Sequence, residues 1–113
     1  MCKKNNMNFI LRQMDKIYSA VFGNDIVKIL LYGSYARGDF QEGSDIDLAA
    51  IVRGSRKELQ DGLKEIWNLS EELEIEHGVI VSPTVIPYEE FEKFKTDLPY
   101  YRNILKEGVD IRA

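Results

Sequence analysis

The chain of 113 residues contains one cysteine, one histidine, one tryptophan and three prolines, and each scarcity closes a class of function. A lone Cys2 cannot form an intramolecular disulfide and reads as a frayed terminal residue. With His77 as the single histidine, neither a zinc cage nor a cysteine–histidine catalytic pair can be assembled. No run approaches the roughly 18 apolar residues of a membrane span, and the basic opening "MCKKNNMNFI" has no apolar core behind it, so neither a membrane segment nor a signal peptide is predicted and the cytosol is the default. Charge of one sign is also missing: 15 basic against 19 acidic residues give a net charge of -4. That balance disfavours life on duplex phosphate through electrostatics alone, but suits a single nucleotide held with metal ions.

What is present is the balance of a folded protein, 44% hydrophobic and 30% charged, near the commonest size for one domain. A single domain over residues 1–113 is predicted. Ile10, Met14, Ile17, Tyr18 and Val21 repeat at helical spacing over about residues 7–22, ahead of Gly23. "IVKILLY" and "IDLAAIV" read as buried strands. Ser55 and Glu58 match a capping box before an apolar helical face of Leu59, Leu63, Ile66, Trp67 and Leu73, with Trp67 assigned to the core. "VIVSPTVIP" is a third strand, ended or bent at Pro83 and Pro87. Phe91, Phe94, Leu98, Tyr101, Ile104 and Leu105 mark one or two C-terminal helices broken before Pro99. Their aromatic content is read first as core and second as an interface. The order predicts an α+β fold: a small mixed three-strand sheet with helices packed mainly on one face.

Between the first two strands lies "GSYARGDFQEGSDIDL". Strand side chains alternate, so Asp45 and Asp47 project from one face with Cα atoms roughly 6.6 Å apart, while Ile46 and Leu48 point to the core. Paired carboxylates of this kind suit a hard divalent cation such as Mg²⁺. Gly33 and Ser34 open a short helical turn that offers N–H groups and a hydroxyl to an anion. Arg37 can reach the same phosphates or pair with a local carboxylate. A Walker loop is excluded because no Gly-Lys-Ser/Thr follows at the needed spacing, and an EF-hand begun at Asp39 has Ala50 at its twelfth position. Each piece alone is usually a solvated acid pair, a turn or a surface arginine; their joint arrangement favours a phosphate site.

That segment resembles the Gly-Ser, Arg-Gly, Ser-Asp-x-Asp-Leu signature of nucleotidyltransferases of the DNA polymerase beta type, particularly the prokaryotic minimal nucleotidyltransferases. The resemblance is specific over residues 33–48 and extends in element order to about residue 86. It implies the nucleotidyltransferase fold, with Gly33, Ser34, Arg37 and Ser44 binding a nucleoside triphosphate, ATP first among candidates. It further implies that Asp45 and Asp47 are catalytic and hold Mg²⁺, and that a nucleoside monophosphate passes to an acceptor hydroxyl with release of pyrophosphate. Relatives often sit beside a helical partner of the HEPN type, and some are antitoxins that adenylylate it. A second protein or a homodimer is therefore expected to complete the acceptor side. A catalytically weak antitoxin or regulatory subunit is the alternative, and an oligomer with a relic loop a further one. The family's third carboxylate belongs on the next strand, where this chain has Gly78. If Glu76 lies on that strand, alternation puts it on the same face as Gly78, where it would complete the metal shell as a third catalytic acid; if not, Glu74 and Glu76 are solvated charges at a helix–strand junction. His77 is read as a surface or half-buried residue before a general base.

Overall fold

The computed structural model describes residues 4–112; Cys2 lies outside the described residues. The elements run α1 (Lys4–Phe22), a 3₁₀ turn (Gly23–Asp25), β1 (Ile26–Tyr32), α2 (Ser34–Arg37), β2 (Ile46–Val52), α3 (Arg56–His77), β3 (Val81–Pro87), α4 (Tyr88–Phe94), α5 (Pro99–Glu107) and β4 (Val109–Asp110). The mixed sheet has the order β3-β2-β1-β4. β1 pairs antiparallel with both β2 and β4, and β2 runs parallel to β3. The parallel pair is joined by α3, the kind of crossover that parallel neighbours require. The α+β class is as the sequence predicts, with one strand more. β4 is two residues long, too short for any alternation to announce it.

Period-two alternation sends the strand residues into two cores. Ile29, Leu31, Ile46, Leu48, Ala50, Val52, Val81 and Val85 meet Ile10, Met14 and Tyr18 of α1 and Leu59, Leu63, Ile66 and Leu73 of α3. On the opposite face, Leu30, Ala49, Ile51 and Ile86 meet Phe91 of α4 and Tyr101 and Ile104 of α5. The expectation of helices mainly on one face is thus corrected: the two long helices cover one face, the two short C-terminal helices the other. The cause is the aromatic content of the C-terminal segment, which packs inward at Phe91 and Tyr101. As expected, α4 ends before Pro99, which stands at the head of α5 where its missing N–H costs nothing.

Two details depart from the sequence reading. β3 passes through Pro83 and ends on Pro87 rather than breaking at the first, because it is an edge strand and an outward-facing proline removes no ladder bond. Trp67 is not core; it is half exposed and donates its Nε1–H to the Pro83 carbonyl at 3.1 Å. Ser55 caps α3 as expected, its Oγ accepting from the Glu58 N–H and donating to Glu58 Oε1. Among the described residues, no helix is long and apolar enough to cross a membrane.

Candidate active site

Asp47 belongs to the face of β2 that carries Ala49 and Ile51, the face covered further along by α4 and α5. Asp45, two residues earlier, shares that face by alternation. The two carboxylates therefore stand at the open end of the sheet, beyond the apolar cover. Pairing aligns Tyr32 of β1 with Asp47, and Asp47 with Ser82 of β3. Ser82 Oγ donates to Asp45 Oδ2 at 3.0 Å. On the other flank, the Tyr32 and Tyr100 hydroxyls are 3.0 Å apart, with their rings edge to face.

Gly33 connects this face to α2. Its backbone has φ 78° and ψ -155°, a region open essentially to glycine alone. A Cβ built on it would stand 2.3 Å from Asp47 Oδ2, so the turn and the carboxylate touch. The leading N–H groups of a helical turn are not used by the helix itself, and Gly33 and Ser34 stand at the head of this one. Arg37 closes the turn, donating to Asp39 and to Glu107 of α5, each at 3.1 Å. The two carboxylates hold its guanidinium above its ordinary pKa. Ser44 shapes the approach to β2: its Oγ accepts from the Gln41 N–H at 2.9 Å and its own N–H donates to the Gln41 carbonyl. Ser44 also lines a cleft of about 250 Å³, with Tyr35, Phe40 and Ile80 among its walls.

The electrostatics suit a cation. Burial pushes the Asp47 carboxyl up first, the neighbouring Asp45 charge adds to that shift, and Arg37 opposes it. Burial likewise raises the Tyr32 phenol, helped by its bond to Tyr100 and by the charge on Asp47, so Tyr32 is neutral. Two mutually repelling carboxylates that a positive ion would relieve fit a divalent cation sharing oxygen ligands with phosphate.

Glu76 does not join them. It is exposed in the last turn of α3, 4.0 Å from the His77 ring, and strand alternation does not apply to it. Gly78 is not on β3 either: it is the left-handed C-cap of α3, at φ 63°. The difference is one of boundary: the apolar helical face read from the sequence ends at Leu73, and α3 continues four residues further, to His77. Glu74 is no idle charge, since its Oε2 accepts the Val81 N–H at 2.9 Å and anchors the start of β3. The His77 ring packs at a tilt against Phe9 of α1, their centroids 5.2 Å apart. Among the described residues, no three His, Cys, Asp or Glu side chains gather as a metal-binding group. The position that does share the carboxylate face is Ser82. Alternation puts it on that face whether the strand begins at residue 79 or 81, but only the pairing register, Asp47 opposite Ser82, sets it level with the aspartates, and a sequence does not state that register.

Two carboxylates at the head of β2, set against a glycine turn that opens a helical turn, are an arrangement that can hold a divalent cation beside phosphate. Residues 10–111 match the family described as nucleotidyltransferase domain, and the chain belongs to that family. It is similar to two proteins of Methanocaldococcus jannaschii named as protein adenylyltransferases. One is 36% identical over 83 residues, covering 74% of this chain and 75% of that protein. The other is 34% identical over 80 residues, covering 71% of this chain but only 54% of that protein. Among solved structures, a toxin–antitoxin complex with AMP-PNP shares the fold at TM-score 0.53 and 16% identity, over 88% of this chain and 70% of that one. A minimal nucleotidyltransferase does so at TM-score 0.52 and 24% identity, over 90% and 93%.

Proposed function

We propose that this chain transfers the nucleoside monophosphate of a nucleoside triphosphate, ATP first, to a hydroxyl on a partner protein. The observation that carries the reading is the contact between the Gly33 turn and the Asp47 carboxylate, which makes the phosphate turn and the acid pair a single site. Asp45 and Asp47 would hold Mg²⁺, which when bound neutralises triphosphate charge and stabilises the leaving pyrophosphate. The N–H groups and hydroxyl at Gly33 and Ser34 orient the terminal phosphates, and Arg37 reaches them by exchanging one of its two carboxylate partners for phosphate oxygen. Ser44 fixes the loop that leads into Asp45. The names of the Methanocaldococcus relatives support protein as the acceptor. The toxin–antitoxin complexes of the same fold motivate a search for a helical partner of the HEPN type, with a homodimer as the competing arrangement.

A second reading is favoured by one observation, that among the described residues no third acid gathers with Asp45 and Asp47 where three would be expected: a nucleotide-binding antitoxin or regulatory subunit with weak turnover. Calorimetry with ATP and Mg²⁺, followed by pyrophosphate release with the protein encoded beside this chain as acceptor, separates the two. Transfer lost in Asp45→Asn and Asp47→Asn supports the enzyme; Mg²⁺-dependent binding without transfer supports the regulator. Equal ATP affinity with and without metal rejects both.

A further inference from the structure

We infer that Ser82 is a positioning residue of the metal site, and that the site in the nucleotide-free protein takes one divalent cation rather than two. The inference rests on the reading of Asp45 and Asp47 as metal ligands, and goes beyond it to a residue and a stoichiometry.

Three strands present side chains at the open end of this face: Tyr32 from β1, Asp47 from β2 and Ser82 from β3, in one row of the ladder. Tyr32 is turned to Tyr100, the two hydroxyls 3.0 Å apart. Ser82 is turned to Asp45, its hydroxyl donating to Oδ2. A carboxylate has two oxygens and about four lone-pair positions. One donor on Oδ2 fixes the rotation of the group and leaves Oδ1 to face a cation. Asp45 is otherwise exposed, so this bond is what holds an acid at the sheet's end in one orientation. Ligands held by a neighbouring hydrogen bond bind metals more tightly than free ones, typically by 10–100-fold.

The charge sets the stoichiometry. Asp45 and Asp47 supply two negative charges, and the third place in the row is a neutral hydroxyl. No other His, Cys, Asp or Glu joins the pair among the described residues. Two charges balance one divalent ion. A second ion at that end would meet ligands already neutralised and would need the oxygens of a triphosphate to bind.

Mn²⁺ serves as a spectroscopic substitute for Mg²⁺, with free ion counted by electron paramagnetic resonance during titration of the full chain without nucleotide. Wild type should bind one Mn²⁺. Ser82→Ala should keep one ion but bind it about tenfold more weakly, and Ser82→Thr should restore affinity by restoring the hydroxyl. Ser82→Asp should add a second ion or tighten the first by at least tenfold. Circular dichroism checks that each variant is folded, and Ser82→Val, which also lacks the hydroxyl and suits a strand, carries the test with the same expected loss if Ser82→Ala is not. Wild type binding two ions without nucleotide would overturn the stoichiometry; Ser82→Ala binding its ion as tightly as the wild type, or Ser82→Thr binding it as weakly as Ser82→Ala, would overturn the positioning role. Mn²⁺ binding unaffected by Asp45→Asn would instead overturn the underlying assignment of the site, whereas a Ser82-dependent ion in a protein that transfers nothing leaves the inference standing and removes the enzyme.

Discussion

At the scale of single residues, the site depends on a missing side chain as much as on those present. Gly33 and Gly78 both have positive φ, but open space surrounds Gly78 while Gly33 abuts Asp47. Alanine at Gly78 incurs the cost of a left-handed backbone, on the order of 1–2 kcal/mol, and at Gly33 the cost of a region that other residues hardly enter, on the order of 1–3 kcal/mol. Only Gly33→Ala also drives a methyl into the carboxylate. Gly78→Ala should therefore lower the thermal midpoint and leave Mg²⁺-dependent nucleotide affinity alone, whereas Gly33→Ala should lower both, with affinity falling at least tenfold by calorimetry. The residues of this turn were legible in sequence because glycine, serine and spaced aspartates are chemically distinctive. The third position of the row through Asp47 was not, because it is an ordinary serine and its level beside the aspartates is set by the β2–β3 register, which periodicity does not reveal. Extending the strand back past its true start at Val81 moved attention from Ser82 to Gly78 and Glu76.

Arg37 adds a residue-scale test with a sign. Its partners Asp39 and Glu107 compete with any phosphate for the same guanidinium. Glu107→Gln should free Arg37 and tighten ATP binding two- to fivefold at low salt, the gain fading as ionic strength rises because the group is exposed. Arg37→Ala should weaken binding in the same assay. Tighter binding in Arg37→Ala would show that the guanidinium serves the turn rather than the nucleotide.

At the scale of elements, the C-terminal helices are tied to the rest by a small polar network. Arg56, at the start of α3, donates to Glu90 of α4, which also accepts from the Tyr101 hydroxyl of α5. Arg56 first, and Tyr101 second, hold the Glu90 carboxyl below its ordinary pKa of 4.5. A depressed carboxylate contributes stability above its unfolded pKa and loses it as pH falls through the folded value. The wild type should therefore lose thermal midpoint below about pH 4.5 more steeply than Glu90→Gln does, while at neutral pH the substitution costs under about 1 kcal/mol because the pair is solvent-accessible. Parallel midpoints for both proteins across the acid range would remove the network from the stability of this face. Sequence periodicity located α4 and α5 but not the sheet face they cover, since an amphipathic helix states that it has a partner and not which one.

At the scale of the whole molecule, the sheet ends in one two-residue strand and one full-length strand, and only the second offers an edge worth pairing. β3 closes that edge itself. Val81 turns its N–H outward to Glu74, and alternation presents residues 83, 85 and 87 along the same edge, two of them prolines with no N–H to give. Trp67 occupies the Pro83 carbonyl. A neighbouring chain adding a strand here would find a single non-proline N–H, at Val85, between two blocked positions. Association of this protein, with itself or a partner, is therefore expected through side chains elsewhere and not through extension of the sheet. The double substitution Trp67→Ala with Pro83→Val uncovers the carbonyl and restores an N–H, and should convert the edge into a template. Light scattering over a concentration series should show mass rising in the double variant beyond whatever the wild type displays, accompanied by a gain of β signal in circular dichroism. If the double variant keeps the wild-type mass and spectrum at every concentration, the prolines and the tryptophan are not what keeps this edge unpaired.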